Sequence, residues 1–186
     1  MLYIIINMIL IIVESPSKIK KIQTYASSMF SEKVTCMASI GHIGNISKAI
    51  TAEDIKKFIF PYTIDKNKLK NVKKIIEVAK KSSKIYLATD PDREGEAIAY
   101  RIYQVLLKNK VNKNIIYRIT FNAITHDEIE KGIKNAGKID MNMVNSQLCR
   151  TCLDQVIGFS LSKKLMKKFN AFNKYEHSTK NELNLN

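Results

Sequence analysis

A short apolar segment at residues 85–89 runs into a cluster of carboxylates and then into a helical pattern. The segment reads Ile-Tyr-Leu-Ala-Thr and is followed by Asp-Pro-Asp-Arg-Glu-Gly. An apolar, β-favouring run of this length, bounded by polar residues and a proline, is typical of a buried strand. From Glu96 onward apolar residues recur at helical spacing, which predicts one core-facing stripe. The apolar positions of that stripe are Ile98, Ile102, Val105 and Leu106.

Three acids lie between this strand and this helix. Asp90 and Asp92 occupy alternate positions, so an extended backbone points both side chains to the same side. Glu94 follows just before Gly95, where the chain can turn. Acids this close repel one another unless a cation neutralises them, and Mg²⁺ prefers oxygen ligands whereas zinc prefers nitrogen and sulfur. A solvated acidic loop is the alternative. The context favours a site, because ligands in α/β sheets gather beyond the carboxyl ends of strands.

A second apolar run lies near the start of the chain. Leu2–Val13 is interrupted only by Asn7. This run is too short to span a bilayer, and it lacks the flanks of a signal peptide. It predicts a buried strand of a parallel sheet at Ile9–Val13. Met8 is an alternative start of the chain.

Glu14 follows this strand much as Asp90 follows the later one. Ser15 is a predicted N-cap and Pro16 a predicted first residue of a helix running towards Met29. Lys18 then lies in the first helical turn, where the helix dipole disfavours a cation. A facing anion such as a phosphate would account for its position. An ordinary solvated lysine is the alternative.

The other elements predict a doubly wound α/β domain, because strands and helices alternate along the chain. The glycine-flanked His42 after the second strand suits a loop at a site. The further predicted strands are Lys33–Ser39, Pro61–Ile64 and Ile115–Phe121. The further predicted helices are Lys66–Lys81, a helix that begins at Thr125, and a separate helix at Met141–Phe169. Thr51–Phe60 is a basic connector.

The charge of the chain points to a polyanionic partner. Lys and Arg number 31 against 17 Asp and Glu, which gives a net charge of +14. Nucleic acid is the first candidate and an anionic membrane the second. General lysine enrichment is a competing explanation. Cys149 and Cys152 form an isolated Cys-x-x-Cys inside a helical pattern, so we expect buried helix cysteines in a reducing compartment and no zinc site.

Two ordered sets of motifs lie along the chain. The first comprises residues 12–18 (Ile-Val-Glu-Ser-Pro-Ser-Lys), 39–43 (Ser-Ile-Gly-His-Ile), 88–99 and 118–125, and the second comprises residues 139–147 with Arg150, Leu153-Asp154 and Gly158-Phe159. The first set resembles the N-terminal Toprim domain of type IA DNA topoisomerases. The second resembles the start of the helical domain that lines the single-strand groove of that family. The resemblance spans nearly all of Ile9–Lys168.

The resemblance implies a domain organisation. Residues 1–138 are expected to form a Toprim domain, a doubly wound and mostly parallel sheet flanked by helices. Residues 139–170 are expected to begin an incomplete second domain, the helical DNA-groove domain. Residues 171–186 form a polar tail that we expect to be disordered.

The resemblance also implies an enzyme that uses Mg²⁺ to cut one DNA strand, pass another through the gap and reseal it. Asp90, Asp92 and Glu94 match the acidic triad that holds the metal. Glu14 matches a glutamate beside the scissile phosphate that assists proton transfer and also contacts metal. Lys18 matches a lysine that stabilises phosphate charge.

Other residues match positions with less defined roles. Arg93 either contacts phosphate or forms an ion pair that organises the triad, and the second role is favoured. His42, Arg150 and Asp154 match positions near bound single-stranded DNA. Gly44 and Asn45 depart from the usual basic–acidic pair of the family.

The nucleophile of the family is a tyrosine in a later domain, and no matching tyrosine segment is found here. Tyr175 lies in Asn-Lys-Tyr-Glu-His, which does not resemble it. We therefore expect a piece that is truncated before the tyrosine domain and is not competent alone. Its expected partners are single-stranded DNA and the missing C-terminal part, which would be a separate chain. We expect it in the cytoplasm with the nucleoid and not at a membrane.

Two other functions stay open. One is a stand-alone Toprim nuclease or primase-like protein, in which metal-bound carboxylates activate water. The helical motif at Asp140–Phe159 argues against it, because a free-standing Toprim protein does not need that motif. The other is a DNA-binding remnant without chemistry.

Overall fold

The computed structural model describes residues 8–46, 53, 57, 61–158, 162 and 164–170. The predictions for residues 1–7, for most of the connector Thr51–Phe60 and for the tail with Tyr175 lie outside this range. The strands are β1 (Met8–Val13), β2 (Lys33–Ala38), β3 (Gly44–Ile46), β4 (Tyr62–Ile64), β5 (Lys84–Ala88) and β6 (Ile116–Arg118). The helices are α1 (Ile19–Met29), α2 (Leu69–Ala79), α3 (Arg93–Lys108), α4 (His126–Lys134) and α5 (Met141–Val156).

The main sheet has four parallel strands in the order β2-β1-β5-β6. In the register, Val13 of β1 lies opposite both Ala38 of β2 and Ala88 of β5. The strand β1 is therefore central, and its residues Ile9–Val13 are completely buried. A fully apolar strand is what a parallel sheet covered on both faces requires.

Helices cover both faces of the main sheet, as the doubly wound fold class predicted. Leu10 and Ile12 of β1 belong to a core that also contains Ile75 of α2 and Ile98 of α3. The alternate residues of β1 point to the opposite face, where the core includes Ile22 of α1 and Ile129 of α4. Each such large apolar side chain stabilises the fold by about 1.5–3 kcal/mol on burial.

A second, two-stranded antiparallel sheet joins β3 to β4, and the sequence pattern did not predict β3. Gly44, two residues after His42, pairs with Ile64. A Cβ atom at Gly44 would lie 2.1 Å from the Thr63 carbonyl oxygen, so the close pairing of the strands needs a glycine. Residues 44–46 read Gly-Asn-Ile, and glycine and asparagine are depleted in strands, so β3 carries no local strand signal.

The chain divides into two compact units, residues 1–147 and residues 148–186, and the division falls inside α5. The domain boundary after residue 138 stays a prediction. The region predicted as one helix, Met141–Phe169, is described as α5 and as helical residues 164–170. Among the described residues, no helix is both long enough and apolar enough to cross a membrane.

Candidate active site at the strand ends

The acidic residues lie where the order of strands in the sheet reverses. From β1 the chain moves to β2 on one side, and it later returns to β5 on the other side of β1. The carboxyl ends of β1 and β5 are therefore neighbours at a topological switch point, the usual ligand position in open α/β sheets. Glu14 directly follows β1, and Asp90 lies two residues after β5.

Lys18 contacts one of these acids directly. Its ammonium group pairs with the Asp90 carboxylate, and both side chains are only partly exposed. Ser15 caps the short 3-10 turn Pro16–Lys18 that presents the lysine. The sequence suggested an anion facing Lys18, and in this structure that anion is Asp90.

Asp92 begins helix α3. Its carboxylate accepts a hydrogen bond from the Gly95 N–H at 2.7 Å, and its backbone is extended, as an N-cap requires. The helix therefore starts at Arg93, three residues before the predicted start at Glu96. This cap places Glu94 in the first turn, where the helix dipole favours a carboxylate.

The loop after β2 brings His42 to the same place. Nε2 of His42 lies 3.4 Å from a carboxylate oxygen of Glu94. The preceding residues Ile40 and Gly41 have positive φ angles of 63° and 72°. Their N–H groups donate to the Glu14 carbonyl oxygen at 2.9 and 3.2 Å, so the loop is tied to the end of β1.

The charges of the three acids of the turn act on Glu14. Burial raises the pKa of Glu14, and the charges of Asp90, Glu94 and Asp92 raise it further, whereas Lys18 lowers it. An all-oxygen donor set under mutual repulsion fits a hard divalent cation. The side chains nevertheless have protein partners, and among the described residues no three or more His, Cys, Asp or Glu side chains are arranged to hold a metal ion.

The other predicted site residues have contacts of their own. Arg93 donates to the Ser146 hydroxyl at 3.3 Å. Arg150 lies 3.9 Å from Asp154 on the next turn of α5, and both side chains are largely exposed. This last pair belongs to the compact unit that begins at Leu148.

Two buried charged residues behind the site were missed by sequence reasoning. Glu96 is 3% exposed and Arg118 is 4% exposed, and they form an ion pair at 2.7 Å. Arg118 also reaches the backbone of the acidic turn. A charged residue inside the otherwise apolar strand Ile115–Phe121 was the available signal, since isolated charges are rarely buried without a partner.

A cleft of about 690 Å³ opens along the edge strand β6. Its lining includes Tyr100, Tyr103, Tyr117 and Lys138, and it reaches the buried Arg118. None of the predicted site residues lines it. The strand-end acids are therefore presented on a surface and not inside this cleft.

The buried parallel sheet and the acids at its switch point define a class of domain. The family model described as "Toprim domain" matches residues 9–124, and the chain belongs to that family. Within it, the chain matches the N-terminal region of type IA DNA topoisomerases, as the motifs predicted.

The relatives are considerably longer than this chain. DNA topoisomerase 1 of Rickettsia bellii is 43% identical over 162 residues, which cover 86% of this chain and 20% of the relative. DNA topoisomerase 1 of Aquifex aeolicus is 41% identical over 160 residues, covering 86% and 28%. The structure of full-length topoisomerase I from Thermotoga maritima superimposes with a TM-score of 0.70 at 38% identity, covering 84% of this chain and 26% of that one. The match thus spans between 20% and 28% of the length of these proteins.

Proposed function

We propose that this chain provides the metal and phosphate half of a type IA topoisomerase active site, which acts in Mg²⁺-dependent cleavage and religation of one DNA strand. The observation that carries the proposal is the convergence of Glu14, Lys18 and Asp90 at neighbouring strand ends. These residues combine oxygen ligands for a hard cation with a positive charge for a phosphate.

Each residue of the site has a proposed role. Asp90, Asp92 and Glu94 hold Mg²⁺, with Glu14 as a further ligand. Bound Mg²⁺ would supply positive charge to the phosphate of the cleaved strand. Lys18 would exchange its contact with Asp90 for a phosphate oxygen. Glu14, partly buried and with a raised pKa, is suited to proton transfer beside that phosphate.

The nucleophile is proposed to come from outside the described residues. Every tyrosine that the structure describes has its contacts away from the strand-end acids. Tyr25, Tyr86 and Tyr117 lie against aromatic rings, Tyr62 lies under Arg101 with its pKa raised to about 12 by burial, and Tyr100 and Tyr103 line the cleft beside β6. A tyrosine from another part of a topoisomerase, in the same or a separate chain, would complete the site.

The DNA partner is proposed to be a single-stranded segment. His42 lies beside Glu94 of the acidic turn. Arg150 and Asp154 are exposed on α5, which we propose begins the DNA-groove domain over residues 139–170. The net charge of +14 supports a phosphate-rich partner. We propose a cytoplasmic location in association with the nucleoid.

A second function is favoured by one observation. Asp90, Asp92 and Glu94 each have a protein partner in this structure, namely Lys18, the Gly95 N–H and His42. That arrangement suits a DNA-binding protein without chemistry. A stand-alone nuclease is the remaining alternative. A plasmid assay separates the nuclease from the other two functions, and Mg²⁺ binding separates the topoisomerase half-site from a DNA-binding protein without chemistry.

The assay is incubation of supercoiled plasmid with this chain and Mg²⁺. We expect neither relaxation nor nicking, because no described tyrosine is placed to attack a phosphate. Relaxation would show that this chain supplies its own nucleophile, from a tyrosine outside the described residues, and would contradict the proposal that it provides only half of the active site. Nicking without religation would favour the nuclease.

Single-strand binding tests the DNA half of the proposal. Affinity for an oligonucleotide should fall roughly tenfold or more between about 50 and 200 mM salt, because phosphate contacts release counterions. Arg150→Ala should weaken binding more than Lys134→Ala. Lys134 pairs with Glu130 and Arg150 pairs with Asp154, and both cations are exposed. The two variants therefore remove the same charge from similar surroundings. Equal effects would remove Arg150 from the proposed DNA contacts.

A further inference from the structure

The acidic turn rests on a buried ion pair that the chemistry above does not use. Arg118 ends β6 and Glu96 lies in the first turn of α3. They are 4% and 3% exposed, and Nε of Arg118 lies 2.7 Å from a Glu96 oxygen. A buried pair gains little net stability over apolar residues of the same volume, because desolvating two charges is costly. Stability alone is therefore a weak explanation for this pair.

The guanidinium group of Arg118 holds the backbone where the acidic turn begins. Nη1 donates to the carbonyl oxygens of Leu87 and Thr89 at 3.1 and 2.9 Å, and Nη2 donates to that of Asp90 at 2.9 Å. Strand β6 ends at Arg118, so the Thr89 and Asp90 carbonyls lie beyond the last strand pairing. The guanidinium supplies donors that a longer strand would have supplied.

Glu96 holds the other end of the same turn. Its second carboxylate oxygen accepts from the Asp140 N–H at 2.8 Å, so both oxygens are occupied. The hydroxyl of Thr89 donates to the Gly95 carbonyl oxygen at 2.7 Å and closes the turn between these two ends. Asp90, Asp92 and Glu94 all lie between the residues that are fixed in this way.

We propose that Arg118 and Glu96 are positioning residues that set the geometry of the acidic turn for metal binding. Arg118 fixes the backbone that carries Asp90, and Glu96 fixes the start of the helix that carries Glu94. This inference rests on the proposed metal function where it is tested by Mg²⁺ affinity. The fixed geometry of the turn is tested separately, by amide hydrogen exchange without metal. Groups that orient metal ligands typically change metal affinity by about 10–100-fold when they are altered.

Arg118→Lys is the most informative variant. It keeps the charge and the pairing with Glu96, but an ammonium group lacks the planar fork that reaches several carbonyls at once. We expect Mg²⁺ affinity to fall by about tenfold or more. Amide hydrogen exchange in residues 90–95 other than Pro91, measured without metal, should become faster than in the wild type, most clearly at Gly95, whose N–H donates to Asp92. Glu96→Gln keeps the volume and an acceptor for Asp140, so we expect the same changes on a smaller scale, and it carries the test if Arg118→Lys does not fold.

The control is a variant of equal thermal stability that leaves the turn alone. Ile129 is completely buried on the opposite face of the sheet, and Ile129→Val or Ile129→Ala can be chosen to match the loss in Tm of Arg118→Lys. The control should bind Mg²⁺ as tightly as the wild type. Its amide exchange in residues 90–95, relative to the rest of the chain, should also match the wild type. If both positioning variants behave like this control, the inference is wrong.

The experiment separates this inference from the proposed function. If the wild type binds no Mg²⁺ at millimolar concentration, the metal function fails, and the exchange rates still decide whether the pair positions the turn. If the wild type binds Mg²⁺ but the exchange in residues 90–95 is the same in all variants, only the positioning role is excluded.

Discussion

Ile40 shows how strongly individual residues are constrained around this site. It is β-branched, its φ angle is +63°, and its side chain is 47% exposed. Such a conformation costs about 1–3 kcal/mol, and surrounding contacts must hold it. Here the Ile40 N–H donates to the Glu14 carbonyl oxygen at 2.9 Å, and its own carbonyl accepts from Lys68 at 2.6 Å. The loop is therefore strained in order to reach the end of β1.

This strain predicts that Ile40→Asn raises the free energy of unfolding by about 1 kcal/mol, because asparagine tolerates a positive φ angle better than a β-branched residue does. Urea unfolding measures the change. Ile40→Val is the matched control, since valine is also β-branched and should give no gain. A less stable Ile40→Asn variant would show that side-chain contacts of Ile40 outweigh the backbone strain.

At the level of elements, the junction between β5 and α3 leaves no room for a side chain at Gly95. Asp92 caps the helix through the Gly95 N–H. A Cβ atom at Gly95 would lie 2.2 Å from the Asp90 carbonyl oxygen, a distance that real Cβ atoms do not reach. Only glycine lets the strand end fold back onto the first helical turn. The positions of all three acids therefore depend on Gly95.

Gly95→Ala should accordingly lower the free energy of unfolding by about 2–3 kcal/mol, as overpacking does in a closely packed interior. Gly137→Ala is the control, because the nearest heavy atom to its Cβ would be 3.9 Å away, and it should change stability by less than about 0.5 kcal/mol. Thermal unfolding of both variants measures the difference. Comparable stability of the two variants would mean that the turn relaxes without cost.

At the scale of the whole molecule, the sequence predicts the sheet and the residues at its edge better than it predicts their contacts. Buried strands such as Ile9–Val13 and Ile85–Thr89 were recognised because a sheet covered on both faces needs continuous apolar runs. Local signals also placed a helix start at Thr125, which caps α4. Ser15 was predicted to cap the helix that runs to Met29, but it caps the 3-10 turn Pro16–Lys18 that precedes α1.

The missed features depend on tertiary structure. That Glu14 and Asp90 become neighbours follows from the strand order β2-β1-β5-β6, which no local pattern encodes. Likewise Lys18 pairs with Asp90, which is 72 positions away, and Glu96 pairs with Arg118, which is 22 positions away. The earlier start of α3 depends on Asp92, which was interpreted as a metal ligand and not also as a helix cap.

The central claim is that the strand-end acids bind Mg²⁺, and a thermal unfolding titration tests it most directly. A ligand that binds only the folded state raises its stability in proportion to the logarithm of its concentration once sites fill. We expect millimolar Mg²⁺ to raise the Tm of the wild type and of Asp127→Asn, a control acid that is 99% exposed on α4. The double variant Asp90→Asn/Asp92→Asn should show no such rise. An equal rise in wild type and double variant would contradict the account.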